Sequence, residues 1–222
     1  MKRMIQLTAL IVMTWAGFEI YQWIVDYEKV EGDLMEAQQQ ELRLFQQQYP
    51  NTVGWLQSPN TRIDNPVMQT TDNTFYLTHN YKGEQSRGGS IFLDYRNDAD
   101  LSQQHTIFYG HVLRNETMFG SLQKYSEQSY AIEHPTFKYE TVKEQFELQV
   151  FAAYKTTTDF YYIQTEFEGD EFSNFLQTIQ AKSVIKMPVE VNATNHIVTF
   201  STCTTSSNDK ERFVVHAKVV KK

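Results

Sequence analysis

Ile197-Val-Thr-Phe-Ser-Thr-Cys203 is a run of β-branched and aromatic residues that ends on a thiol, and the polar stretch 204–210 after it reads as a loop. Phe213–Val220 is a second run of the same kind, so Cys203 stands at a strand end beside the loop that joins the two. Working outward, strands are expected at Val53–Leu56, Arg62–Gln69, Phe75–Thr78, Ser90–Tyr95, Thr106–Tyr109, Thr136–Thr141 and Phe146–Lys155, separated by Asn, Gly, Pro and Asp. Helical patterns are few here. A short one covers Thr117–Tyr125, and Asp170–Ser183 places Phe172, Phe175, Leu176 and Ile179 on one face behind an acidic first turn. Many short strands without alternating βα units make the fold class mainly β, a barrel or sandwich rather than a parallel sheet.

Upstream of residue 50 the pattern changes. Tyr27–Gln48 holds no proline and is rich in Glu, Gln and Leu, with Val30, Leu34, Ala37 and Phe45 near helical spacing; it reads as one or two amphipathic helices ended by Tyr49-Pro50. Before it, Met4–Val25 is apolar apart from Gln6, Thr8, Thr14, Glu19 and Gln22. As a helix that segment is roughly 33 Å long, against about 30 Å of bilayer hydrocarbon. Lys2 and Arg3 favour keeping the short N-terminal side in the cytoplasm, and Trp15, Tyr21 and Trp23 suit an interface. Thr14-Trp15-Ala16 makes a poor signal-peptidase site. The expected organisation is a membrane anchor over 1–25, a helical segment over 26–50 and a β body over 51–222, with a single pass placing the body outside the cell membrane.

The composition excludes several functions. Hydrophobic residues at 41% and aromatics at 14% supply a core and rule out a disordered chain. With 27 acidic and 20 basic residues the net charge is −7, which gives a nucleic-acid partner little to bind. A lone cysteine excludes an intramolecular disulfide and any multi-thiolate metal site, and no acidic cluster suggests calcium, so neither metal nor cofactor is expected. Exported proteins usually spend cysteines on disulfides, so a single thiol there points to reactivity.

A nucleophilic thiol needs activation, because a free one is only a few per cent thiolate at neutral pH. Of six histidines, His111 stands out: it follows the strand Thr106-Ile-Phe-Tyr directly after Gly110, again at a strand end. His216 lies within the last strand and reads as a satisfied, half-buried residue. Arg212 opens that strand, one loop after Cys203. It cannot act as a base, but its forked donors suit a developing oxyanion.

These residues and their flanks resemble the class B sortases, membrane-anchored cysteine transpeptidases of Gram-positive bacteria. The resemblance is carried by Thr106-Ile-Phe-Tyr-Gly-His111 with Met118-Phe-Gly-Ser-Leu122, and by Thr199-Phe-Ser-Thr-Cys203 with Arg212-Phe-Val-Val. Gly54-Trp-Leu, Ile63-Asp-Asn-Pro-Val-Met68, Tyr76-Leu-Thr-His79 and Gly89-Ser-Ile-Phe-Leu-Asp-Tyr-Arg96 support it in order over residues 50–222. It implies a closed β-barrel of about eight strands with N-terminal helices and a helix, here Asp170–Ser183, before the cysteine strand. It further implies cleavage of a C-terminal sorting pentapeptide, Asn-Pro-Xaa-Thr-Asn-like, after threonine through a thioacyl intermediate, with transfer of the surface protein to an amine. That amine would belong to a peptidoglycan cross-bridge or a pilin lysine. Cys203, His111 and Arg212 would be catalytic, and Asn73, Leu77, Tyr109 and Ser201 would receive the pentapeptide. Thr204-Thr-Ser-Ser207 departs from the acidic or aromatic residue many members carry after the cysteine. A cysteine hydrolase and an inactive envelope-binding domain are the alternatives.

Overall fold

The computed structural model describes the backbone of residues 2–203 and 210–222, and their side chains except at 2–12, 26–28, 30–35 and 203. The chain divides into two units, residues 1–41 and 42–222. A single helix, α1 (Lys2–Gln48), forms the first unit and continues into the second, in keeping with the absence of proline before Pro50. Among the described residues no helix is long and apolar enough to cross a membrane. The expected anchor over 1–25 falls in part on residues 1–12, which lie outside the described side chains.

In the second unit the last turns of α1 pack Leu42 inward and set Phe45 edge-on to Trp55 at 5.4 Å. Eight strands follow: β1 (Thr52–Gln57), β2 (Asp64–Met68), β3 (Ile91–Leu93), β4 (His105–Gly110), β5 (Thr136–Glu140), β6 (Gln145–Thr157), β7 (Ile197–Cys203) and β8 (Glu211–Lys221). They close into a barrel in the order β1-β2-β3-β4-β7-β8-β6-β5, with β5 returning to β1. The β2–β3 and β4–β7 pairs are parallel and the others antiparallel. Closure depends on Gly54, where a Cβ would stand 2.5 Å from the Tyr139 ring and 2.6 Å from the Glu140 carbonyl of the neighbouring strand.

The period-two alternation of a strand sorts β7 and β8 between two cores. Val198, Phe200, Phe213, Val215 and Ala217 point into the barrel, where Phe137 and Phe200 meet at 4.2 Å. Ile197 and Val214 point outward, under α3 (Glu171–Lys182), whose Phe172, Phe175, Leu176 and Ile179 form its buried face as the sequence pattern predicts. Beneath α3 runs a closed polar chain. His105 Nδ1–H donates to the Gln164 carbonyl at 2.6 Å, so its Nε2 accepts the Thr199 hydroxyl proton. Thr199 Oγ1 then accepts His216 Nδ1–H at 2.7 Å, and His216 Nε2 accepts the Tyr154 hydroxyl at 2.9 Å. Every proton is placed only if both imidazoles are neutral. Burial accordingly pushes His105 down to about 4 and His216 well below the usual imidazole range, and His216 is fully buried rather than half-buried.

Local readings differ in two places. Phe75–Thr78, expected as a strand, is a short 3₁₀ turn over Phe75–Leu77. The Asp72 carboxylate accepts the backbone N–H groups of Thr74 and Phe75 at 2.6 and 2.9 Å, and this local capping overrides the β propensity of Phe-Tyr-Leu-Thr. The helix expected over Thr117–Tyr125 is a turn followed by a 3₁₀ segment, Leu122–Ser126. A six-residue helix, α2 (Gln128–Glu133), follows it unheralded, since it buries only Ala131.

Candidate active site

Three neighbouring strands bring the candidate residues to one end of the barrel. The parallel β4–β7 ladder pairs Tyr109 with Ser201 and Gly110 with Thr202, so His111 and Cys203 are the next residues on adjacent strands. The antiparallel β7–β8 ladder ends by pairing Cys203 with Arg212. Residues 92 apart in sequence are thus brought to the ends of adjacent strands by the parallel β4–β7 pairing, and residues nine apart are paired across β7 and β8. The side chain of Cys203 lies outside those described.

A cavity of about 280 Å³ opens here, lined by Asn73, Leu77, Tyr109, His111, Ser201 and Arg212 together with Phe92, Gly110, Ile163 and Thr202. Every described side chain singled out from the sequence for the site therefore shares one cavity. Sequence reasoning missed Ile163, which follows the end of β6 in a stretch with neither strand nor helix pattern to mark it. Phe92 reads from sequence only as a strand residue. Among the described residues no group of three or more His, Cys, Asp or Glu could hold a metal ion.

The imidazole of His111 is held from behind. Its Nε2–H donates to the Leu77 carbonyl at 2.8 Å, which leaves Nδ1 as the nitrogen that gains or loses a proton. The Leu77 carbonyl comes close because Gly89, at φ +54°, has no side chain: a Cβ there would stand 2.8 Å from that oxygen and 3.1 Å from His111 Cδ2. Gly110, the residue before the histidine, serves similarly: a Cβ there would meet the Phe119 ring at 2.8 Å. The Phe119 N–H in turn donates to the His111 carbonyl at 3.0 Å and ties the following loop to the strand end. On β8, Arg212 Nη1–H donates to the Glu211 carbonyl at 2.7 Å.

Charge is organised behind the cavity wall. Burial opposes ionisation of Asp94, but hydrogen bonds from Arg96 and Tyr109 and the Arg96 charge outweigh it and hold the carboxyl below its usual range. Tyr109 is pushed well up by burial and by that adjacent carboxylate, so its hydroxyl keeps its proton. Ser201, buried, shares a hydrogen bond of 2.8 Å with the Tyr162 hydroxyl.

Comparison with known proteins settles the family. A family profile described as Sortase domain matches residues 56–220, most of the chain. The chain is 45% identical over 184 residues to the sortase B of Listeria monocytogenes, covering 82% of this chain and 75% of that protein. The chain belongs to the sortase B family. Its activity class is accordingly that of a cysteine transpeptidase, and its closed eight-stranded mixed barrel is the sortase fold. A solved structure described as a Staphylococcus aureus sortase B–substrate complex superposes with a TM-score of 0.79 at 35% identity, covering 92% of this sortase and 99% of that chain. Another, a sortase B complexed with triglycine, gives 0.77 at 33% identity over 88% of this sortase and 98% of that chain.

Proposed function

We propose that this sortase cleaves an Asn-Pro-Xaa-Thr-Asn-like sorting pentapeptide after threonine and transfers the surface protein to an amine of the cell wall, using Cys203, His111 and Arg212. The observation that carries this reading is the strand register, which ends β7 with Cys203 opposite Arg212 and one step past the β4 residue that precedes His111.

The Cys203 thiolate attacks the threonine carbonyl carbon, and the carbonyl oxygen takes the negative charge, which the Arg212 guanidinium stabilises. His111, protonated at Nδ1 with Nε2–H held by Leu77, gives its proton to the amide nitrogen as the C–N bond breaks. The downstream peptide leaves and a thioacyl enzyme remains. An amine then attacks the thioester carbonyl and loses its proton to His111, and the thiolate departs. Asn73, Leu77, Tyr109 and Ser201 receive the pentapeptide in the shared cavity. A glycine amine suits the acceptor role, in line with the relative described as a triglycine complex.

Residues 1–25 anchor the enzyme in the cell membrane with the barrel outside. The exposed Trp15, Phe18, Ile20, Tyr21, Trp23 and Ile24 on α1 support this, since so much apolar surface on one helix is costly in water. The test is incubation of the full chain in detergent micelles with the pentapeptide, with and without triglycine, read by mass. Wild type yields the glycine-ligated product, and Cys203→Ala yields neither cleavage nor ligation. Cleavage by Cys203→Ala overturns the mechanism, and a water adduct that triglycine does not displace makes the enzyme a hydrolase.

A further inference from the structure

We propose that the Asp94–Arg96 ion pair is the positioning unit of the substrate groove, orienting Asn73, Tyr109 and Ile163 so that the walls present one hydrogen-bond donor and one acceptor to a peptide unit. This rests on the substrate reading given above. Asp94 directly follows β3, and its side chain is wholly excluded from solvent. Its carboxylate gathers five donors. Oδ2 accepts Asn73 Nδ2–H at 2.9 Å, the Tyr109 hydroxyl at 2.9 Å and Arg96 Nη2–H at 2.7 Å. Oδ1 accepts Arg96 Nε–H at 2.8 Å and the Arg96 backbone N–H at 3.0 Å.

Each bond fixes a direction on the cavity side. The Asn73 Oδ1 also accepts the Tyr95 N–H at 3.0 Å, so flipping the amide would set oxygen against carboxylate and NH₂ against N–H. The amide is therefore locked, and its second N–H has one orientation. Tyr109 spends its only proton on Asp94, so toward a ligand its oxygen can only accept. Arg96 extends the unit to the third wall, with Nη2–H donating to the Ile163 carbonyl at 3.0 Å and Nη1–H to the Tyr161 hydroxyl at 3.3 Å. A buried ion pair is a poor way to gain stability, because desolvation offsets its attraction. What it supplies here is direction: a fixed N–H and a fixed lone pair match the C=O and N–H of an extended peptide, and neither would be oriented against an apolar wall.

The test uses the full chain in detergent micelles, with kcat and KM for an Asn-Pro-Xaa-Thr-Asn pentapeptide and triglycine, and the rate of Cys203 alkylation by iodoacetamide. Asp94→Asn is expected to raise KM roughly tenfold, as losing an oriented charged hydrogen bond does, with alkylation unchanged. In an Asn73→Ala/Tyr109→Phe background the same substitution should cost less than about twofold more, because the groups it orients are gone. An additive loss in that background, or an unchanged KM, overturns the positioning role. Should Asp94→Asn lose its barrel circular dichroism, Arg96→Gln carries the test, since that side chain is 27% exposed. Its expected result is a raised KM with unchanged alkylation, and an unaltered KM overturns the proposal. A wild type that turns over no pentapeptide overturns the functional reading and this role with it; turnover with additive losses overturns this role alone.

Discussion

Acid should unfold this barrel through the polar chain under α3, in a pH window set by two imidazoles. In the unfolded chain a histidine titrates near 6.5, whereas burial holds His105 at about 4 in the fold. Between those values the unfolded state binds a proton that the folded state refuses, so stability falls as pH falls from about 6.5 to about 4. From pH 7.5 to 4.5 that single group costs roughly 2–3 kcal/mol, at about 1.4 kcal/mol per unit of pH for each proton. His216 shifts the same way, so the pair steepens the slope further. The structural reason is explicit: a proton added at His105 Nε2 would face Thr199 Oγ1, which already accepts from His216 Nδ1, and the threonine's own proton would lose its acceptor. Asp94 has the same sign at lower pH, because its folded-state pKa is depressed and its contribution is lost only as the carboxylate protonates, below about pH 4. The assay is urea unfolding by circular dichroism at pH 7.5, 6 and 4.5, for wild type and for His105→Gln/His216→Gln. The variant is less stable at every pH, but its loss between pH 7.5 and 4.5 should be smaller than that of wild type by at least about 2 kcal/mol. Equal slopes in the two proteins would refute the neutral chain.

Gly89→Ala should lower the rate of acyl-enzyme formation by roughly 10²-fold, the low end of what a misplaced general acid costs, because its Cβ displaces the Leu77 carbonyl that holds His111. Gly83→Ala is the control: φ is +79° with nothing within 4 Å, so it pays a similar backbone strain of about 1 kcal/mol with turnover unchanged, as measured by peptide cleavage and thermal melting. Arg212→Lys keeps the charge but loses the forked donors, and should reduce single-turnover acylation by about 10²-fold with little effect on KM. Thr199→Val leaves His105 Nε2 and His216 Nδ1 without a partner and should cost about 2–3 kcal/mol in urea unfolding.

The features of this molecule legible in its sequence are those encoded by neighbours along the chain. Ile197–Cys203 is a run of β-branched and aromatic residues, and that composition marked a strand whose end carries the thiol. Arg212 was legible for the same reason, since one loop returns it to the strand partner of Cys203. The face of α3 was equally local. Phe75–Thr78 failed where a single upstream carboxylate, Asp72, turned the backbone, and α2 failed because a six-residue helix that buries only Ala131 leaves no periodic trace.

What local pattern could not supply is the set of relations created by closing the barrel. The residues alone left barrel and sandwich open, and the family resemblance decided between them. His111 could be marked by its glycine and its strand end, but its approach to the cysteine strand needs the parallel β4–β7 pairing, with β5, β6 and α3 lying between those strands in sequence. Asp94 is harder still: its donors Asn73 and Tyr109 lie 21 and 15 residues away, on opposite sides along the chain, and Arg96 joins it to a carbonyl 67 residues from that arginine. In a linear reading the aspartate is one polar residue within the expected strand Ser90–Tyr95. Inside the closed barrel, losing its charge would leave Asn73, Tyr109 and Arg96 without a common acceptor, and the groove would lose its orientation while every wall residue remained in place.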